Sequence, residues 1–149
     1  MGRPILTALV FTPTLGAIFL GFLPSEVQVL RRAALVFSLV PFLLSLAVLG
    51  LFDPARGDFQ MVERHAWVPE FGVQYLLGVD GVSLFLVLLT TLLTVLVVLA
   101  AFGDVHKRVR EYMILMLVLE TGMLGTLLAL DLILFYVFWE VMLVPMYLL

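Results

Sequence analysis

The sequence predicts an all-α integral membrane protein, a single bundle of about five transmembrane helices, and three features carry that prediction. Of the 149 residues, 64% are hydrophobic and 13% charged, with a mean hydropathy of +1.22, whereas an ordinary soluble domain is roughly half apolar and a quarter charged. The charges are clustered, leaving five long intervals nearly free of them, and a spanning helix needs about 20 mostly apolar residues. Those intervals lack period-two alternation, which favours helices over barrel strands. A net charge of −3 with no basic patch excludes nucleic acid as a natural partner. With no cysteine in the chain there is no disulfide, thiolate metal site or cysteine nucleophile.

Taken in order, the predicted helices cover about 4–23, 33–52, 81–102, 112–130 and 132–149, all within one membrane domain, 1–149, with no internal repeat. The first follows Met1 to Arg3, a thin basic region, and the charge-free run Pro4 to Ser25 is 22 residues long, more a span than a cleaved signal. Gly2 lacks the Ser or Thr at position 6 that myristoylation wants, since Leu6 stands there. Pro13 and Pro41 fall inside the first two helices, where a packed membrane bundle can re-satisfy the freed carbonyls. The outer loop, 53–79, opens with Asp53-Pro54 and Arg56-Gly57-Asp58 and continues in a partly alternating run from Phe59 to Val68, the pattern of a short hairpin or an ordered surface loop. Trp67, Tyr75 and Tyr112 mark the headgroup level.

Five basic residues, Arg31, Arg32, Lys107, Arg108 and Arg110, flank one set of helix ends, and Arg3, Arg56 and Arg64 the other. By the positive-inside rule the five define the cytoplasmic side, and the N-terminus and the 53–79 loop face outward.

Glu140 is the first candidate for chemistry. It lies nine residues into the run that follows Asp131, which at 1.5 Å per residue is about 14 Å from the membrane edge and near the bilayer midplane. A carboxyl there is expensive to insert, and such groups usually belong to an ion or proton path. Glu120 stands eleven residues before Asp131, so an antiparallel helix pair would put the two carboxyls at similar depth in one polar layer. Whether they face each other depends on helix rotation, and Glu120 reads equally well as a structural hydrogen-bonding group. Thr121 with Gly125 and Gly122 with Thr126 provide small residues that let another helix approach closely. Pro145 leaves the Val141 carbonyl without its helical donor and predicts a local distortion beside Glu140. Asp80 reads as a cap on the third helix. His65 and His106 fall on opposite sides of the membrane in this topology and form no metal site, and there is no phosphate loop, nucleophile elbow or zinc helix.

Two strings are specific enough to name a family. The first runs from His65-Ala66-Trp67-Val68-Pro69-Glu70-Phe71-Gly72-Val73 into Leu77-Gly78-Val79-Asp80-Gly81-Val82-Ser83-Leu84. The second is Leu130-Asp131-Leu132-Ile133-Leu134-Phe135-Tyr136-Val137-Phe138-Trp139-Glu140-Val141-Met142-Leu143-Val144-Pro145-Met146-Tyr147. The chain resembles the chain M antiporter-like subunits of respiratory complex I, the proton-translocating NADH:quinone oxidoreductase, over essentially its whole length but only about the first third of a fourteen-helix family subunit. The resemblance implies a proton channel in the membrane arm, driven by redox chemistry in other subunits, with Glu140 matching the family's essential fifth-helix glutamate and pairing with a lysine on a later, broken helix. Glu120 departs from the family pattern, which often has glutamine there, and takes second place. The resemblance also implies no cofactor in this chain, with NADH, FMN, iron–sulfur clusters and quinone bound by other subunits. The implied partners are other membrane-arm subunits, including homologous antiporter-like ones, and the lipid bilayer. The implied location is a bacterial inner membrane, with the mitochondrial inner membrane as the alternative.

The competing functions are a subunit of a Mrp-type cation/proton antiporter or membrane-bound hydrogenase, built on the same helices, and a non-transporting membrane scaffold. The fifth helix stops at Leu149 while still apolar, which reads as a cut. The only lysine, Lys107, and every arginine lie outside the predicted spans, so the chain offers no cation inside the apolar core to a carboxyl at the midplane.

Overall fold

Five helices and one β-hairpin make up the computed structural model, which describes residues 4–24, 26–55, 57–104 and 107–149. The sequence readings at Gly2, Arg3, Ser25, Arg56 and His106 lie outside the described residues. In chain order the elements are α1 (Ile5–Phe22), α2 (Val27–Leu51), β1 (Gln60–Val68), β2 (Val73–Val79), α3 (Gly81–Asp104), α4 (Val109–Leu128) and α5 (Leu132–Leu148). Helices α1 to α4, with 18, 25, 24 and 20 residues, are each long and apolar enough to cross a membrane. Helix α5, with 17 residues, is apolar but shorter, reaching about 25 Å at 1.5 Å per residue.

The boundaries depart from the charge-interval reading chiefly at α2, which begins at Val27 instead of 33. Arg31 and Arg32 therefore sit in its first turns, because arginine is a good helix former and its long stem carries the charge toward the interface. Helix α4 likewise starts at Val109, ahead of Tyr112, after Arg108 in a left-handed conformation (φ 52°). Pro13 and Pro41 are buried inside helices that continue through them.

The outer loop is a hairpin. Strands β1 and β2 pair antiparallel with Arg64 opposite Leu76 and His65 opposite Tyr75, and register shifts flank these pairs. A 3-10 turn, Pro69–Phe71, joins the strands and ends on Gly72 with φ 69°, a left-handed backbone that glycine adopts at no steric cost.

Helix α4 is the central element, with one face after another buried between Val109 and Leu128. The apolar interior splits into two clusters. One lies at the hairpin end around Leu6, Leu9, Val48, Leu84, Leu124 and Phe138. The other lies at the opposite end around Ala17, Leu20, Leu30, Val98, Met113 and Leu117. Between them lie most of the buried polar side chains: Ser38 and Ser45 of α2, Thr91 and Thr94 of α3, and Glu120 and Thr121 of α4. The bundle thus has a polar belt across its middle, with Thr121 hydrogen-bonded to Thr14 of α1 at 2.7 Å and Ser45 to Thr91 at 3.0 Å.

The helix ends sort by charge. Glu63 of β1 accepts hydrogen bonds from the Leu6 and Thr7 amides of α1 at 2.7 and 3.2 Å, so the start of α1 lies at the hairpin end. At the other end Arg110 donates to the Leu23 carbonyl, and the Arg31 guanidinium lies 5.9 Å from the centre of the Phe102 ring.

Candidate functional site

Glu140 is fixed by the way α5 packs. Leu134, Phe138 and Pro145 form its buried face, and they meet α4 where α4 is smallest. A methyl group added at Gly125 would collide with the Phe138 ring, and one at Gly122 would lie 3.0 Å from the Met142 backbone. Small residues on α4 therefore do admit a neighbouring helix, and that helix is α5. At 100° per residue, Glu140 points about 200° away from Phe138, onto an exposed face. Tyr136 and Tyr147 are on that exposed surface too, and the Tyr136 hydroxyl faces the Glu140 carboxyl one turn on. Phe135 stacks on Trp139, ring centroids 6.1 Å apart. Despite Pro145, α5 is one helix through Leu148, so the predicted distortion does not appear as a break.

Glu120 lies elsewhere. It is fully buried within the polar belt and faces Thr94 of α3, yet neither carboxyl oxygen makes a hydrogen bond of ordinary geometry with the described residues. Since Gly122 stands level with Met142, the two glutamates are offset by about 6 Å along the bundle axis. One points into the helices of this chain and the other out of them. The two carboxyls stand at similar depth but point in opposite directions, because helix rotation, which the sequence left open, is set by the small residues of α4.

Asp80 caps α3 as predicted. Its Oδ1 accepts from the Ser83 amide at 2.8 Å, while the Ser83 hydroxyl accepts from the Asp80 amide at 2.9 Å. This is a reciprocal capping box. The bond from the Ser83 amide holds the Asp80 carboxyl below the usual aspartate range. Tyr75 is half-buried and hydrogen-bonded to Thr7 at 2.9 Å, and burial pushes its hydroxyl up. His65 is exposed on β1, and among the described residues no three His, Asp or Glu side chains are grouped to hold a metal.

Two acids carry more structure than the sequence reading assigned them. Asp131 marks a membrane edge there, but its Oδ1 accepts from the Ile133 and Leu134 amides at 2.9 and 3.2 Å, and its Oδ2 from the Gln74 amide at 3.0 Å. The bond from Gln74 is the main reason its carboxyl also lies below the usual range. An aspartate just before an apolar run is a legible cap signal, although its link to Gln74 is not. Glu63 had no local signal at all, since its partners are 56 and 57 residues away.

A bundle of helices long and apolar enough to cross a membrane, with buried polar side chains across its middle, defines a polytopic membrane protein. No family model matches the chain. It is, however, similar in sequence to subunits named M or chain 4 of NADH-quinone and NADH-ubiquinone oxidoreductases. The Rhodobacter capsulatus subunit M is 43% identical over 149 residues, covering 97% of this chain and 28% of that protein. Chain 4 of the Arabidopsis thaliana NADH-ubiquinone oxidoreductase is 40% identical over 143 residues, covering 95% and 29%. Among solved structures, respiratory complex I from Thermus thermophilus superimposes with a TM-score of 0.79 at 27% identity, over 96% of this chain and 28% of that one. The archaeal membrane-bound sulfane sulfur reductase shares the fold, with a TM-score of 0.74 at 19% identity. The chain thus spans somewhat more than a quarter of the curated relatives it matches.

Proposed function

We propose that this chain serves as part of a proton-translocating subunit in the membrane arm of an NADH:quinone oxidoreductase, with Glu140 as a proton-carrying group. The observation that carries the reading is the direction of Glu140: a carboxyl halfway along an apolar helix, turned away from every other helix of this chain. Left facing lipid it would cost about 3 kcal/mol. Further helices of the same assembly relieve that cost if they cover this face and supply a cation. Proton transfer then requires that the carboxyl alternate between a protonated form beside Tyr136 and an ionised form stabilised by that cation, its proton passing to water or a neutral base that the covering helices supply.

Glu120 takes second place. It sits among hydroxyls, with Thr94 as the group it faces, on the side of α4 away from Glu140. Hydroxyls hydrogen-bond a carboxyl but do not neutralise its charge. The hairpin end, with the N-terminus, is assigned to the outer side of a bacterial inner membrane, and the cluster around Arg31, Arg32 and Arg110 to the cytoplasmic side.

NADH, flavin, iron–sulfur clusters and quinone belong in this reading to partner subunits. Affinity isolation of the tagged chain from its native membrane tests the assignment. Flavin- and iron–sulfur-containing partners with NADH-driven proton pumping are the expected result. Isolation with only antiporter partners, and no NADH oxidation, would replace it with the cation/proton antiporter.

A further inference from the structure

Helix α5 has few neighbours. It packs along α4 and meets β2 at its start, so the rotation and height of Glu140 depend on two anchor points. One is the α4 seam, where Phe138 sits against Gly125 and Met142 against Gly122. The other is the α4–α5 turn, which β2 holds as if it were a third strand. The Leu130 amide donates to the Leu76 carbonyl at 2.8 Å, and Leu77 bridges Ala129. In addition, the Gln74 amide donates to Asp131. Gly78 allows the close approach, since a methyl group there would lie 2.7 Å from Leu130 Cδ1.

Asp131 joins the two halves of this anchor because its two oxygens do different work. Oδ1 caps α5 through the Ile133 and Leu134 amides, and Oδ2 holds the hairpin through Gln74. The same hairpin grips the start of α1 through Glu63 and through the Tyr75 hydroxyl on Thr7. We propose that Asp131 is a positioning residue for Glu140, its carboxylate locking the start of α5 to the outer hairpin and so setting the direction in which Glu140 points, nine residues further along the helix. This inference rests on the reading of Glu140 as the proton-carrying group.

The test uses the assembled complex and two substitutions. Asp131→Asn keeps a good helix cap but has one acceptor oxygen, so it can serve α5 or Gln74 and not both. Asp131→Ser also keeps a cap, with a side chain one atom shorter and a single oxygen. The readouts are the rate of NADH-driven proton pumping and the infrared carbonyl band of Glu140, identified by its disappearance in Glu140→Gln. Both Asp131 variants are expected to assemble, to shift that band, and to lower pumping about tenfold, because small misplacements of a reacting group cost rate steeply. An unmoved band with parental pumping in either assembled variant overturns the positioning role. Loss of the complex in both overturns it too, since Asp131 would then be a folding residue. If Glu140→Gln itself pumps normally, the reading of Glu140 fails, whatever the Asp131 variants do.

Discussion

At the scale of residues, the polar groups divide into those that finish a helix and those left for other work. Asp80 belongs to the first kind. Removing its cap in Asp80→Ala is expected to cost about 1 kcal/mol, seen as a lower midpoint for thermal unfolding in detergent. Hydrogen bonds donated by backbone amides hold both Asp80 and Asp131 below the usual aspartate range. A carboxyl depressed in the folded state contributes stability that is complete above the unfolded value, about 3.9, and that is lost as the pH falls through the lower folded value. Hydrogen exchange should therefore find the Gln74 and Ser83 amides equally protected at pH 7 and 5, losing protection only in stronger acid. Loss of protection already at pH 5 would contradict the assignment. Glu120 belongs to the second kind. Because it faces hydroxyls inside the chain, Glu120→Gln is expected to reduce proton pumping less than Glu140→Gln does, as measured in the same membranes.

At the scale of elements, the glycines of α4 decide where α5 can lie. Gly125→Ala drives a methyl group into the Phe138 ring and is expected to cost about 1–3 kcal/mol through overpacking. Gly50→Ala, with nothing within 4 Å of the added carbon, should leave the thermal midpoint unchanged or slightly raised. Helix number and order were legible in the sequence because charge-free runs have the length the bilayer demands. The start of α2 was not, since Arg31 and Arg32 interrupt the apolar run without interrupting the helix. The hairpin was legible in part, from the Phe59 to Val68 alternation. Its grip on α1 and α5 was not, because Glu63 with Leu6 and Gln74 with Asp131 are pairings that only the folded chain brings together. Glu140 could be singled out by depth alone, whereas its separation from Glu120 depends on which face of α5 the small residues of α4 accept.

At the scale of the whole molecule, the bundle is a stack of two apolar clusters and one polar belt, closed at one end by the hairpin and bordered at the other by basic residues. The positive-inside reading predicts that a cysteine at Asp58 reacts with a membrane-impermeant maleimide from outside and one at Lys107 only from inside. The reverse pattern would invert the topology. On the proposed role of Glu140, the exposed face of α5 that carries it is the functional surface. The most direct test is the number of protons pumped per NADH in the assembled complex with Glu140→Gln and with Glu140→Asp, at matched assembly. Glutamine keeps the volume and hydrogen bonding of the side chain but cannot exchange a carboxyl proton, while aspartate can. Pumping is expected to collapse in the glutamine variant and to survive in part in the aspartate variant. Parental pumping with Glu140→Gln would contradict the proposed role.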